Sequence, residues 1–251
     1  MPQPLRRTAL LACGATALLG LTACSSGTAA APAAAAPVST PGSAAATTAP
    51  SPSAAPSAPA LPTGTKLNSL LLPATALPAG FKLDPDGARS TGDGYNPSEA
   101  PSAVPSPQSC DLLNTSAWIT ASGVSPAAFA QNDYQDASQN MIAQELDAFR
   151  GDDAKAAMAA LTKALTGCHT FTVTQNGQHY TATITVKPLP GLGDEALQAT
   201  LTSPSFTGGT TMVATRTGSF LAATYDSSQT TTGAAAVTYA KTLAKALPPT
   251  P

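Results

Sequence analysis

Charge is the scarcest commodity in this chain of 251 residues. Asp, Glu, Lys and Arg together make up only 10% of it, and from Thr8 to Thr65 there is no Asp, Glu, Lys, Arg or His at all. Basic residues do not exceed acidic ones (12 against 14). The electrostatic footprint of a nucleic-acid binder is therefore missing, and so is any polybasic stretch that would hold an anionic membrane surface. Histidine occurs twice, at His169 and His179, so a metal site or an imidazole base must use one of these. Neither Gly-x-Ser-x-Gly nor Ser-x-x-Lys occurs to supply an activated nucleophile. The four cysteines include no Cys-x-x-Cys pair, the spacing typical of a redox centre. Long apolar runs are also absent. The stretch from Thr8 to Leu21 is too short to span a bilayer stably.

That short stretch has a different meaning. Arg6 and Arg7 precede it, and small residues end it at Leu21-Thr22-Ala23-Cys24. A charged head, a brief apolar segment and a small-residue cut site make an export signal. With Leu three residues before a cysteine, the cut site resembles the lipobox of bacterial lipoproteins, which implies that Cys24 becomes the lipid-modified N-terminus. The alternative is an ordinary secretory signal in which Cys24 is incidental. Cys13 also follows Leu-Ala but has too little apolar length before it. Loss of Arg6 and Arg7 with the signal leaves 10 basic against 14 acidic residues, a net charge of −4, so membrane attachment would rest on acyl chains. Two or three such chains anchor firmly where one holds weakly.

Beyond Cys24 the chain is almost wholly Ala, Pro, Ser, Thr and Gly up to residue 66. Without aromatics or a periodic apolar face it cannot offset the entropy of ordering by burial. Pro and Ala favour extended conformers, so about 40 residues at ~3.1 Å each form a semi-stiff tether reaching ~120 Å when taut. The expected organisation is a signal peptide over 1–23, a disordered tether over 24–66 and a single domain over 67–247. The last is long enough for one core and short for two.

Every aromatic residue lies between Phe81 and Tyr239, which locates that core. From Asp84 to Pro107 the Gly, Pro and Ser content predicts a loop. Asp84, Asp86 and Asp93 there lack the spacing of a calcium-binding hand. A short helix is expected over Asp111–Thr120, and strands over Phe129–Tyr134 and Asn140–Phe149, the second with Ile142, Gln144, Leu146 and Ala148 on one face. Gly151-Asp152-Asp153 then opens a helix whose acids should cap it, with Ala154, Met158, Leu161, Leu165 and Cys168 in one stripe. Asn176-Gly177 predicts a two-residue hairpin turn, which sets Val173 opposite Tyr180 and Phe171 opposite Ala182, with an apolar face and a threonine face. Strands follow around Ala196–Leu201, Thr210–Thr217 and Ser219–Tyr225. A helix over Thr232–Leu247 carries Val237, Ala240, Leu243 and Leu247 inward. The order predicts an α+β domain, a mostly antiparallel sheet with helices packed on one face.

Cys110 and Cys168 are the cysteines of the domain, and an exported protein meets oxidising conditions, so a disulfide is expected. The hairpin register puts His169 and His179 on opposite faces and roughly 17 Å apart at ~3.3–3.4 Å per residue, which excludes shared coordination of one metal ion. Glu145 and Asp147, two apart on a strand, share a face. They read either as a carboxylate pair or as the solvent side of that strand.

The layout Leu70-Leu71-Leu72-Pro73, Ser109-Cys110 and Leu165-Thr166-Gly167-Cys168 resembles the PknH-like extracellular sensor domains of actinobacteria. Gly191-Leu192-Gly193-Asp194-Glu195-Ala196 and Arg216-Thr217-Gly218 resemble segments of related actinobacterial lipoproteins. The resemblance implies a helix-and-sheet sensor module that binds a ligand in a cleft. Family members commonly carry two disulfides, whereas this domain has one cysteine pair.

These readings point to an exported lipoprotein, held on the outer face of the cell membrane through its N-terminal lipid. It would act as a non-catalytic ligand-binding or sensor-like module without cofactor, metal or nucleic acid, and its partner would be a small molecule or an envelope protein. Two alternatives stand beside this. A carrier of an apolar envelope molecule would need a large dry cavity. A cell-envelope hydrolase would need Glu145 or Asp194 brought to a histidine.

Overall fold

A computed structural model describes residues 60–97, 110, 113, 118–175, 177–205 and 207–247. The signal peptide, Cys24 and the tether up to residue 59 lie outside the described residues, as does most of the helix expected over Asp111–Thr120. All described residues belong to one compact unit.

Eight strands form a single sheet: β1 (Lys82–Ser90), β2 (Ala128–Gln135), β3 (Met141–Ala148), β4 (Thr170–Gln175), β5 (Gln178–Pro188), β6 (Glu195–Thr202), β7 (Gly209–Thr217) and β8 (Phe220–Ser228). Their spatial order is β1-β2-β3-β8-β7-β6-β5-β4, every neighbouring pair antiparallel. Three helices accompany them: α1 (Gly64–Asn68), α2 (Asp153–Gly167) and α3 (Ala236–Ala246). α1 straddles the boundary expected between tether and domain, started by Thr63, whose side chain accepts from the Lys66 amide.

The antiparallel α+β architecture is as expected, but the helices do not share one face. α2 packs with the 3-10 turn Trp118–Ser122 over Ala143, Ile184, Met212, Leu221 and Tyr225. α1 and α3 lie on the opposite face, over Ala130, Leu146, Val213 and Ala222. The cause is visible in the strands. Residues 142–148, 211–215 and 220–225 are buried without interruption, which demands cover on both sides. One-sided alternation survives only at the margin, where Ala182 and Ile184 are buried while Thr181 and Thr185 are exposed.

The Asn-Gly hairpin has the predicted register, Val173 opposite Tyr180 and Phe171 opposite Ala182. Asn176 itself lies outside the described residues, and Gly177 takes φ of +74°. The loop expected from Asp84 is partly wrong, because Lys82–Ser90 forms the edge strand β1. An edge tolerates Pro85, and the ladder to β2 breaks register between Asp84 and Arg89. Gly87 is needed in that irregular stretch, since a Cβ there would lie 2.5 Å from Cβ of Asp133.

α2 buries its expected stripe of Ala154, Met158, Leu161 and Leu165. Asp152 precedes it, yet its side chain makes no capping hydrogen bond, so its contribution is charge near the helix start rather than a cap. Instead the Asp152 carbonyl accepts from the amides of Lys155 and Ala156. Cys168 follows α2 and is bonded to Cys110, 58 residues earlier.

Candidate functional site

Two places on the sheet carry polar groups that the fold alone does not require. The first is a stripe under the α2 side of β2 and β3. Gln131 lies opposite Glu145, and Asp147 lies two residues further along β3 between Phe129 and Leu221. Glu145 and Asp147 do share a face, but it is not a solvent face: Glu145 is 6% exposed and Asp147 0%. The correction follows from the central place of β3, whose second face is closed as fully as the first.

Around them an orderly chain of contacts runs from the edge inward. Arg89 donates to Oε1 of Gln131 at 2.8 Å, and Gln131 donates to Oδ1 of Asp133 at 3.0 Å. Oε2 of Glu145 and both carboxylate oxygens of Asp147 have no hydrogen-bond partner among the described residues. A charge buried in that state is very costly, so burial favours the protonated forms. Burial pushes the Glu145 carboxyl up to about 7, the Arg89 cation opposing and Asp133 adding to the rise. Asp147 is raised well above the ordinary carboxylate range by burial and by Glu145. Next to them Tyr225 is held neutral chiefly by burial. Its hydroxyl accepts from the Trp118 amide at 3.1 Å, and the two rings meet edge to face at 5.9 Å.

The second place is a groove of about 480 Å³ on the opposite face, between the β5–β6 turn and α3. Leu189, Leu192 and Val237 form its apolar floor, packed onto Val213, Ala236 and Ala240 of the core. Lys241, Ala244 and Lys245 of α3 make one wall. Pro190, Gly191 and Gly193 make the other. The turn is pinned. Asp194 donates its amide to the Arg216 carbonyl at 2.8 Å, and Gly193 sits at φ of +61°, where a Cβ would come 2.4 Å from that same carbonyl oxygen.

The acids that follow the turn are engaged elsewhere. Asp194 pairs with Arg216 at 2.9 Å and also accepts from the Gly218 amide at 2.7 Å, while Glu195 lies 3.7 Å from Arg216. Lys241 and Lys245 have no ion-pair partner among the described residues. Lys245 sits in the last turn of α3, where the helix dipole favours a cation; Lys241 lies a turn earlier and lacks that reason.

The remaining sequence candidates fall apart in space. Three strands separate β3 from β5, so Glu145 stands roughly 19 Å from the β4–β5 hairpin at ~4.8 Å per strand. His169 and His179 are exposed on that hairpin, His179 opposite Thr174 and His169 with Nδ1 3.1 Å from Oγ1 of Thr170. Asp84 accepts from the Asp86 amide, forming a local turn. Among the described residues no three metal-ligating side chains gather, and no helix is long and apolar enough to cross a membrane. The disulfide joins the expected pair, Cys110 and Cys168. Sequence reasoning missed the groove because lysines four apart on an amphipathic helix read as its solvent face.

No family model matches the chain, and no curated protein is similar to it. Among solved structures, the extracellular domain of PknH from Mycobacterium tuberculosis has a similar fold, with a TM-score of 0.54 and 15% identity. The match covers 74% of this chain and 97% of that domain. At that identity the likeness is one of architecture, and the fold of this protein is PknH-like.

Proposed function

We propose that this protein is an exported lipoprotein, anchored at the outer face of the cell membrane through Cys24, whose domain binds a ligand without catalysing a reaction. The observation that carries the proposal is the groove beside α3. It combines an apolar floor with two lysines that have no ion-pair partner among the described residues, and its lining includes no Ser, Thr, Cys, Asp, Glu or His. Pockets of this size and mixed character hold small ligands. The fold shared with an extracellular domain supports a place outside the cell, as does the export signal. The tether lifts the domain away from the membrane.

A hydrolytic reading has one observation in its favour, the raised pair Glu145 and Asp147, since perturbed carboxyls are typical of active sites. It is the weaker reading. Asp147 has no exposed surface, and three strands lie between β3 and the hairpin that carries the histidines. The test is to express the full chain in its host, fractionate the cells and weigh the intact protein. An acylated N-terminus at Cys24, in the membrane fraction, is expected, and Cys24→Ser should release the protein from membranes. Unacylated wild-type protein in the cytosol would overturn the proposal.

A further inference from the structure

The groove beside α3 contains two chemistries, apolar and cationic. Leu189, Leu192 and Val237 are half-buried apolar side chains. Lys241 and Lys245 are one turn apart on the wall, so both ammonium groups reach a single headgroup region. In a chain with more acids than bases, a local pair of cations without a counter-charge among the described residues is a distinct feature. It persists because Arg216 holds Asp194 and Glu195, the acids that follow the turn. Ala244 lies between the lysines and keeps the wall low, so a chain lying on the floor is not blocked by a side chain there. The turn forming the other wall is fixed by Gly193 and the Asp194 amide, so the groove is formed before a ligand arrives.

We infer that the groove takes a single-chain amphiphile with an anionic headgroup. Its hydrocarbon lies along Leu189, Leu192 and Val237, and its headgroup sits between Lys241 and Lys245. The inference rests on the ligand-binding reading above and names the class of ligand for that site. Neither half of the site suffices alone. Exposed lysine–anion contacts are weak and screened by salt, whereas an apolar floor without charge does not discriminate among amphiphiles.

The test uses the mature-length chain from residue 24 carrying Cys24→Ser, so that no acyl group of its own competes. Amide spectra are recorded against dodecyl phosphate, dodecyl maltoside and dodecyl trimethylammonium below their micelle concentrations. Inorganic phosphate and phosphatidylglycerol vesicles serve as separate arms. Dodecyl phosphate should bind saturably with shifts confined to residues 189–193 and 237–245. The affinity should fall about tenfold in the Lys241→Glu/Lys245→Glu double variant and several-fold in Ala244→Glu, with the remaining spectrum unchanged. Equal binding of the maltoside or the trimethylammonium compound overturns the inference. Binding of inorganic phosphate as tight as that of dodecyl phosphate, binding only to vesicles, or an unaffected double variant overturns it as well. If the amphiphiles fail while a host-envelope extract shifts the same amides, the ligand class is wrong and the ligand-binding reading survives. If neither shifts them, both fall.

Discussion

The two faces of the sheet are closed in opposite ways. Under α2, one continuous cluster runs from Leu113 and Trp118 through the helix stripe to Ile184 and Tyr225, pinned at one end by Cys110–Cys168. Asp147 lies on this face with no exposed surface. Under α1 and α3, the apolar residues break into three smaller clusters around Leu243, Tyr134 and Val213, and between α3 and the β5–β6 turn the cover is incomplete. A closed face stores stability and an incompletely covered face leaves a place to bind. The contrast explains why the unpaired carboxyls, although chemically conspicuous, belong to the scaffold, while the less conspicuous lysines face a space that a ligand can enter.

The largest break in this contrast should come from the disulfide. Replacing Cys110 and Cys168 by Ala removes a loop constraint of 58 residues, for which chain entropy gives about 4 kcal/mol. Chemical denaturation should show a loss of that order, with the α2 face exchanging amide protons first. A loss confined to the α3 face would reverse the comparison. On that second face Leu243→Ala should cost about 3 kcal/mol, within the range for buried leucines. The residue is fully buried against Leu67 and Leu146.

The carboxyl pair makes a prediction of unusual sign. Glu145 titrates near 7 when folded and near its ordinary value when unfolded. At pH 4 both states are protonated and the group is neutral to stability. As pH rises through the ordinary range the unfolded chain loses its proton while the folded one keeps it, so stability falls until about pH 7. A shift of that size corresponds to about 3 kcal/mol. Asp147 is raised too and acts in the same direction. Urea denaturation should therefore give a more stable protein at pH 5 than at pH 7.5. Glu145→Gln should flatten that slope, and Asp147→Asn should raise stability at pH 7.5. A protein that gains stability across this range would show that these acids are charged and paired in the fold.

The smallest effect should come from Lys241→Glu, an exposed site where stability changes by less than about 0.5 kcal/mol. Ligand binding should nevertheless weaken, which separates the groove from the scaffold.

How far these features were legible depended on how local they were. The hairpin register followed from Asn176-Gly177 because a two-residue turn fixes the pairing of its own strands. The α2 stripe followed from its spacing, and the disulfide from the pairing of two cysteines in an exported domain. Two-faced burial was not legible, because it depends on which strands become central. Leu146 and Asp147 alternate as a half-buried strand would, and only the placement of β3 between β2 and β8 encloses Asp147. β1 was hidden by Asp84-Pro85-Asp86-Gly87, a sequence that spells a turn and is tolerated because the strand is at the edge. The groove required three separate facts from distant parts of the chain: where α3 docks, where the β5–β6 turn points, and that Arg216 occupies the neighbouring acids.

The most direct test is hydrogen–deuterium exchange on the mature-length chain with and without an extract of its host's cell envelope. The account predicts added protection in residues 189–193 and 237–245 and none in 153–167, with the effect lost in Lys241→Glu/Lys245→Glu. Protection centred on Gln131, Glu145 and Asp147, with the double variant behaving as wild type, would contradict it.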